Sequence, residues 1–165
     1  MMNANEIALE RIDRISYWAC FARIEEIKVE LARIGVRILG TPQKDMHMTL
    51  RYFGYGRKKV PERVFYIRPS LIGREVVVEA DGIGTYSVDG IVRNQGLRIS
   101  KESMRRAVFE NGTTLLDLCA NEVPHVTLCV MNGGKAVDTS KCAFRDCVPF
   151  KIRLRIGVFA DEPVF

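Results

Sequence analysis

At 165 residues, with 47% hydrophobic and 27% charged side chains, the chain has the make-up of an ordinary globular protein and enough length for a substantial core. It contains no apolar run of about 18 residues and so no expected membrane helix, and its opening Met-Met-Asn-Ala-Asn-Glu lacks the basic start and apolar block of a secretory signal. Twenty-five Lys and Arg against 20 Asp and Glu give a net charge of +5, which suits an anionic ligand and falls short of a protein that coats duplex DNA.

In chain order, residues 6–14 read as a short helical or irregular lead-in. The aromatic-rich stretch 15–24 (Ile-Ser-Tyr-Trp-Ala-Cys-Phe-Ala-Arg-Ile) reads as a first strand. Glu25 to about Arg37 carries Ile27, Leu31 and Ile34 near one face and reads as a helix. Gly40-Thr41-Pro42 breaks the chain before a strand that starts at His47 and ends at Gly54-Tyr55-Gly56. Arg57-Lys58-Lys59 reads as a solvated loop, followed by a polar connection holding Pro61 and Pro69. Glu75–Ala80 is a strand by its β-branched density, and Asp81-Gly82-Ile83-Gly84 is expected to turn it. Tyr86–Val88 and Ile91–Ile99 read as strands joined at Asp89-Gly90, a hairpin signal. Ser100 can cap a helix from Lys101 to about Glu110, and a further helical turn is expected within 113–119. A second strand starts at His125 and closes at Asn132-Gly133-Gly134. Residues 150–159 alternate apolar and basic, a half-exposed strand. The five cysteines (20, 119, 129, 142 and 147) are odd in number and lack zinc-ribbon spacing, which predicts reduced thiols in a cytoplasmic protein; Cys142 and Cys147 could pair, though nothing requires it.

The chain has only two histidines, and each opens the same word: His47-Met48-Thr49-Leu50 and His125-Val126-Thr127-Leu128. In a strand, residues two apart share a face, so each word sets an imidazole beside a hydroxyl while Met48, Leu50, Val126 and Leu128 turn to a core. Chance would give both histidines both followers about once in ten thousand. Nine residues beyond each His stands a glycine (Gly56, Gly134) followed by a basic residue (Arg57, Lys135), so the similarity is a weak internal repeat.

With these words the chain resembles the 2H phosphoesterases, named for two H-x-T/S motifs in a duplicated fold: His-Met-Thr-Leu-Arg-Tyr-Phe-Gly (47–54) is similar to the first motif and Pro-His-Val-Thr-Leu (124–128) to the second. That family includes 2′-5′ RNA ligase-like proteins, cyclic nucleotide phosphodiesterases and viral enzymes that destroy signalling oligonucleotides. The order of elements suggests an α+β fold with helices packed against mainly antiparallel sheets. The resemblance implies two pseudo-symmetric lobes within a single 1–165 domain, about 15–85 and 86–165, with a central cleft lined by the two HxT strands. The short length is similar to phage members that degrade defence-signalling cyclic nucleotides (anti-CBASS enzymes), which would put the protein in the host cytoplasm.

The residues carry their own chemical argument. Free imidazole titrates near pH 6.5, so one His can be neutral while its twin is protonated, supplying general base and general acid. Two hydroxyls can stabilise charge developing on non-bridging phosphate oxygens. Transfer at phosphorus needs this set, whereas acyl transfer lacks a nucleophile in a recognisable setting. A ribonucleotide phosphodiester fits best, since its 2′-OH can be deprotonated by one His while the other protonates the leaving oxygen; which does which is open. His47, Thr49, His125 and Thr127 are the expected catalytic residues. Asp45 could join His47 at a metal, but a third ligand near His125 is missing, so no metal or cofactor is expected. For substrate binding, Tyr17, Trp18 and Tyr86 (with Tyr52) could stack on bases, with core packing the alternative for each. Arg51 shares a face with His47; Lys135 and Arg57 stand in the matching loops; Glu162 could read a base edge. The expected function is a metal-independent phosphodiesterase acting on cyclic di- or oligonucleotides or 2′-5′ oligoadenylates, an antagonist of nucleotide-based immune signalling. The alternatives are an RNA-end enzyme (2′,3′-cyclic phosphate phosphodiesterase or 2′-5′ RNA ligase) and a non-catalytic RNA- or nucleotide-binding module.

Overall fold

The structure, a computed structural model, describes residues 15–52 and 69–165. The lead-in over 6–14, the Gly54-Tyr55-Gly56 turn, Arg57 and the connection holding Pro61 lie outside the described residues. The elements are β1 (Tyr17–Ala22), α1 (Ile24–Arg33), β2 (His47–Tyr52), a 3-10 turn (Pro69–Leu71), β3 (Glu75–Val88), β4 (Ile91–Ile99), α2 (Lys101–Arg106), α3 (Leu115–Leu118), β5 (His125–Val130), a 3-10 turn (Ala136–Lys141), β6 (Ala143–Phe159) and β7 (Pro163–Val164).

The strands pair in the order β1-β2-β5-β4-β3-β6-β7, and β1 also pairs with β6. Every pairing is antiparallel. The hydrogen-bonded circuit β1-β2-β5-β4-β3-β6 therefore closes on itself as a six-stranded barrel, with few helices. This corrects the two-lobed α+β expectation. Tyr17–Ala22 pairs with Phe159–Leu154, and β6, 17 residues long, is paired on its other side with β3. One sheet thus replaces two, and the HxT strands are bonded neighbours within it, not facing walls between lobes.

Alternation explains the core. Trp18, Cys20, Met48, Leu50, Val76, Val78, Leu97, Ile99, Val126, Leu128, Ile152, Leu154 and Ile156 are all buried in one cluster, joined by Ile27 and Leu31 of α1, Met104 of α2 and Leu115 and Leu118 of α3. The sheet thus has an apolar face on which the helices pack, and α1 ends where Gly35 takes φ 75°, short of the expected Arg37. The helix capped by Ser100, whose Oγ accepts from Ser103 N at 3.1 Å, also stops early, at Arg106. Thr114 caps α3 through a reciprocal capping box with Asp117.

Two local expectations meet different outcomes. Asp89 (φ 53°) and Gly90 (φ 77°) form the β3–β4 hairpin, the left-handed pair that a tight hairpin requires. Residues 81–84, expected to turn, stay within β3 with a bulge between Ala80 and Gly82. Glycine is needed there for close approach: a Cβ on Gly84 would come within 2.4 Å of Ala143 O. All five cysteines are free thiols. Among the described residues, no helix is long and apolar enough to cross a membrane.

Candidate active site

The two H-x-T words become the adjacent strands β2 and β5, in register at Met48↔Val126. Carried one residue each way, antiparallel pairing sets His47 opposite Thr127 and Thr49 opposite His125. The imidazoles occupy one diagonal of a four-residue square and the hydroxyls the other. Diagonal Cβ atoms in such a pair stand about 7–8 Å apart. Met48, Leu50, Val126 and Leu128 are fully buried on the helix-packed face, so the four polar side chains, all half-buried, lie on the opposite one.

Both imidazoles are oriented alike. His47 Nδ1 is 2.6 Å from Asp45 O, and His125 Nδ1 is 2.7 Å from Val123 O. A carbonyl oxygen only accepts, so each Nδ1 donates its proton and Nε2 is left as the titrating nitrogen. Burial lowers the pKa of His47; the Asp45 carbonyl and charge oppose this, and the nearby His125 adds to the lowering. Burial likewise lowers His125, opposed by the Val123 carbonyl. Both therefore favour the neutral form at pH 7.

These shifts carry a stability consequence. A histidine whose folded pKa lies below the ordinary value of about 6.5 releases its proton on folding. Its contribution is fully present above pH 6.5 and is lost as the pH falls through the folded value. Urea midpoints are expected to drop between pH 7 and pH 5.5, and a His47→Gln/His125→Gln double variant should flatten that slope. An equal slope in the double variant would assign it to other groups.

Tyr17 apart, the neighbouring strands supply residues that carry no sequence signal. On β1, Phe21 is the register partner of His47 and its ring lies 5.8 Å from the imidazole, while Tyr17 stacks on that imidazole at 4.8 Å and on Phe159 at 5.1 Å. On β4, Arg98 is the register partner of His125 and Gly96 that of Thr127. Arg98 Nε bonds Asp81 Oδ1 at 2.7 Å and its Nη2 bonds Asp146 Oδ1 at 2.6 Å. Thr127 Oγ1 donates to Thr139 Oγ1 at 2.8 Å, and the Asn94 amide donates to the same oxygen at 3.1 Å. Thr139 is wholly buried, and a Cβ on Gly96 would come within 2.4 Å of its methyl carbon. The Asn121 amide donates to Thr49 O at 3.0 Å. Measured on the phosphodiester cleavage that the two H-x-T words lead one to expect, Thr139→Val, which keeps the shape and deletes the hydroxyl, should lower kcat about three- to tenfold, the worth of one hydrogen bond. An unchanged kcat on any cleavable phosphodiester would remove Thr139 from the site.

The other expected binding residues are scattered. Arg51 follows His47 and Thr49 on the same face of β2 and is half-buried. Tyr17 is buried beneath His47; it supports the imidazole and offers no open ring for a base. Trp18 is 1% exposed in the helix-packed core, away from the square. Tyr52 is exposed at the end of β2 and its ring is 6.2 Å from Tyr17. Tyr86 lies on β3 with Lys141 Nζ 5.6 Å from its ring centre. Lys135 is exposed, and its carbonyl accepts from the Asn94 amide at 2.8 Å. Glu162 is exposed in the turn between β6 and β7. Among the described residues no group of three His, Cys, Asp or Glu side chains could hold a metal ion.

Comparison with protein-family models returned no match, and none was found among curated proteins. Among solved structures, the chain is similar to the crystal structure of TT0787 of Thermus thermophilus, at 16% identity over 91% of this chain and 92% of that one, with a TM-score of 0.41. A likeness of that size carries no argument about either chain's function.

Proposed function

We propose that the protein is a metal-independent phosphodiesterase of the 2H type, acting on small ribonucleotide phosphodiesters such as cyclic di- or oligonucleotides or 2′-5′ oligoadenylates. The observation that carries this reading is the His–Thr/Thr–His square built by the Met48↔Val126 register. It sets two imidazoles, each with Nδ1 donating to a carbonyl, on one diagonal of the square, with Cβ atoms about 7–8 Å apart. A phosphodiester seated between them would have its attacking hydroxyl at one Nε2 and its leaving oxygen at the other. Thr49 would then donate to a non-bridging oxygen, where charge accumulates, and Thr127, whose hydroxyl donates to Thr139 Oγ1 in the free protein, would turn its proton from Thr139 to the phosphate to do the same. The neutral imidazole deprotonates the nucleophile, and its twin, which takes up a proton when the phosphate anion binds beside it, delivers that proton to the leaving group.

The test is incubation with cyclic dinucleotides, cyclic trinucleotides, 2′-5′ oligoadenylate and RNA bearing a 2′,3′-cyclic end, in the presence of excess chelator, with products resolved by chromatography. Cleavage that persists in chelator supports the reading, and turnover restricted to RNA ends would move it to the RNA-end class. Binding without turnover, unchanged when both histidines are replaced, would sink it. Thr49→Ala and Thr127→Ala are each expected to reduce kcat by about 10²- to 10³-fold without abolishing it, the effect of losing one donor to a developing oxyanion.

A further inference from the structure

The 3-10 turn Ala136–Lys141 carries Thr139, which links Thr127 of the square to Asn94 of β4. We infer that Asn94 and Thr139 are positioning residues for the reaction proposed above, on which this inference rests: together they form a relay that turns the Thr127 hydroxyl proton toward the phosphate. Direction comes first. The end of the Asn94 amide that lies 2.8 Å from Lys135 O has to be its nitrogen, because a carbonyl oxygen only accepts. The same Nδ2 donates to Thr139 Oγ1 at 3.1 Å, so Thr139 cannot donate back along that bond. Its other partner is Thr127 Oγ1, at 2.8 Å.

In the free protein the Thr139 oxygen accepts from both sides, and its own proton meets no acceptor among the described residues. Thr139 is wholly buried, which leaves that proton away from solvent. The chain of bonds has a second arrangement. When a phosphate oxygen accepts the Thr127 proton, the Thr139 proton swings into the gap between the two hydroxyls and Thr127 Oγ1 becomes its acceptor. Every hydroxyl proton of the relay is then bonded, so the phosphate relieves a cost that the free site carries. A hydroxyl that is itself accepting a hydrogen bond is also the stronger donor, which serves where charge develops. The fold fixes the relay sterically: Gly96, the register partner of Thr127, has no side chain, and the Thr139 methyl fills the place of its Cβ. Asn94 is wholly buried, and its Oδ1 has no partner among the described residues. An apolar residue of similar size would avoid that cost; what the position gains from an amide is its pair of N–H donors, one on the turn backbone and one on Thr139.

The experiment reverses the direction of the relay. In Asn94→Asp a carboxylate oxygen replaces Nδ2 and accepts the Thr139 proton, so Thr139 can only accept from Thr127 and holds its proton away from the phosphate. On a phosphodiester that the wild type cleaves, kcat is expected to fall about 10²-fold, toward the level of Thr127→Ala. Adding Thr139→Val cuts the link, and the double variant should regain rate, up to the deficit of about three- to tenfold of Thr139→Val alone. A packing role for Asn94 would instead make the double variant the slowest. Thr139→Ser keeps the hydroxyl and deletes the methyl, the converse of Thr139→Val, and should recover most of the rate that the valine loses; this comparison stands even if Asn94→Asp fails to fold. Turnover by Thr139→Ser no faster than by Thr139→Val, or a folded double variant slower than Asn94→Asp, would overturn the relay and leave the phosphodiesterase reading intact. A wild-type protein that cleaves none of the nucleotide substrates would overturn both.

Discussion

Replacing either His47 or His125 with alanine is expected to lower kcat on a cleavable ribonucleotide phosphodiester by about 10²- to 10⁴-fold, the worth of a positioned acid or base. On the proposed reading, in which the imidazoles act as a unit across one phosphorus, the double variant should fall by far less than the product of the two losses. Both rings contact other groups, so folding of each variant is checked by its urea midpoint. Removing His47 also leaves Tyr17 and Phe21 without the ring they pack on, whereas the ring–ring contacts of the described residues do not include His125. A destabilisation larger for His47→Ala than for His125→Ala, with equal loss of turnover, is the expected pattern. A single variant that keeps its rate to within about twofold would show that the imidazoles do not perform the chemistry.

Trp18→Ala is expected to cost about 3–5 kcal/mol of stability, the usual consequence of emptying a large aromatic site. Against a typical total of about 5–15 kcal/mol this is enough to unfold a large fraction of the protein on mild heating. Trp18 is 1% exposed and sits on β1 between β2 and β6, so the cavity opens at the seam that closes the barrel. Trp18→Phe should be far milder: it retains most of the volume and deletes an indole Nε1 that is buried without a hydrogen-bond partner among the described residues. Urea midpoints of the two variants provide the check. If Trp18 were instead a stacking platform for a nucleobase, Trp18→Ala would raise KM and leave the midpoint almost unchanged.

The contrast between Trp18 and Thr49 shows what the amino-acid order carries. Alternation within 47–50 and 125–128 is enough to put the histidines and threonines on one face and Met48, Leu50, Val126 and Leu128 in the core, because a strand's two-residue period is local. The Asp89-Gly90 hairpin is legible for the same reason: two left-handed residues specify a tight turn by themselves. For Tyr17 and Trp18 period alone does not say which face is which, and burial under His47 or in the core depends on strands far away in the chain. Closure of the barrel is illegible. It needs Tyr17 to meet Phe159, a pairing with no short-range trace, and an α+β arrangement of separate lobes satisfies every local pattern equally well. Glycines mislead in one place: Gly82 and Gly84 read as a turn, whereas they admit the Arg98 guanidinium and the β6 backbone. Thr139, Arg98 and Asn121 are invisible for the same reason as the closure, since each reaches the site through pairing or a side-chain bond to a remote strand.

The seam between β1 and β6 also governs when the molecule can come into being during synthesis. β1 emerges from the ribosome well before one of its two neighbours, since its pairing stretch of β6 follows it by about 130 residues of chain. Until that stretch of β6 clears the exit tunnel, β1 has an open flank and the core has a missing wall. Such distant pairing is entropically expensive and slow to nucleate, so the nascent chain is expected to remain open to chaperones and proteases until β6 has been made and to close in one step after it.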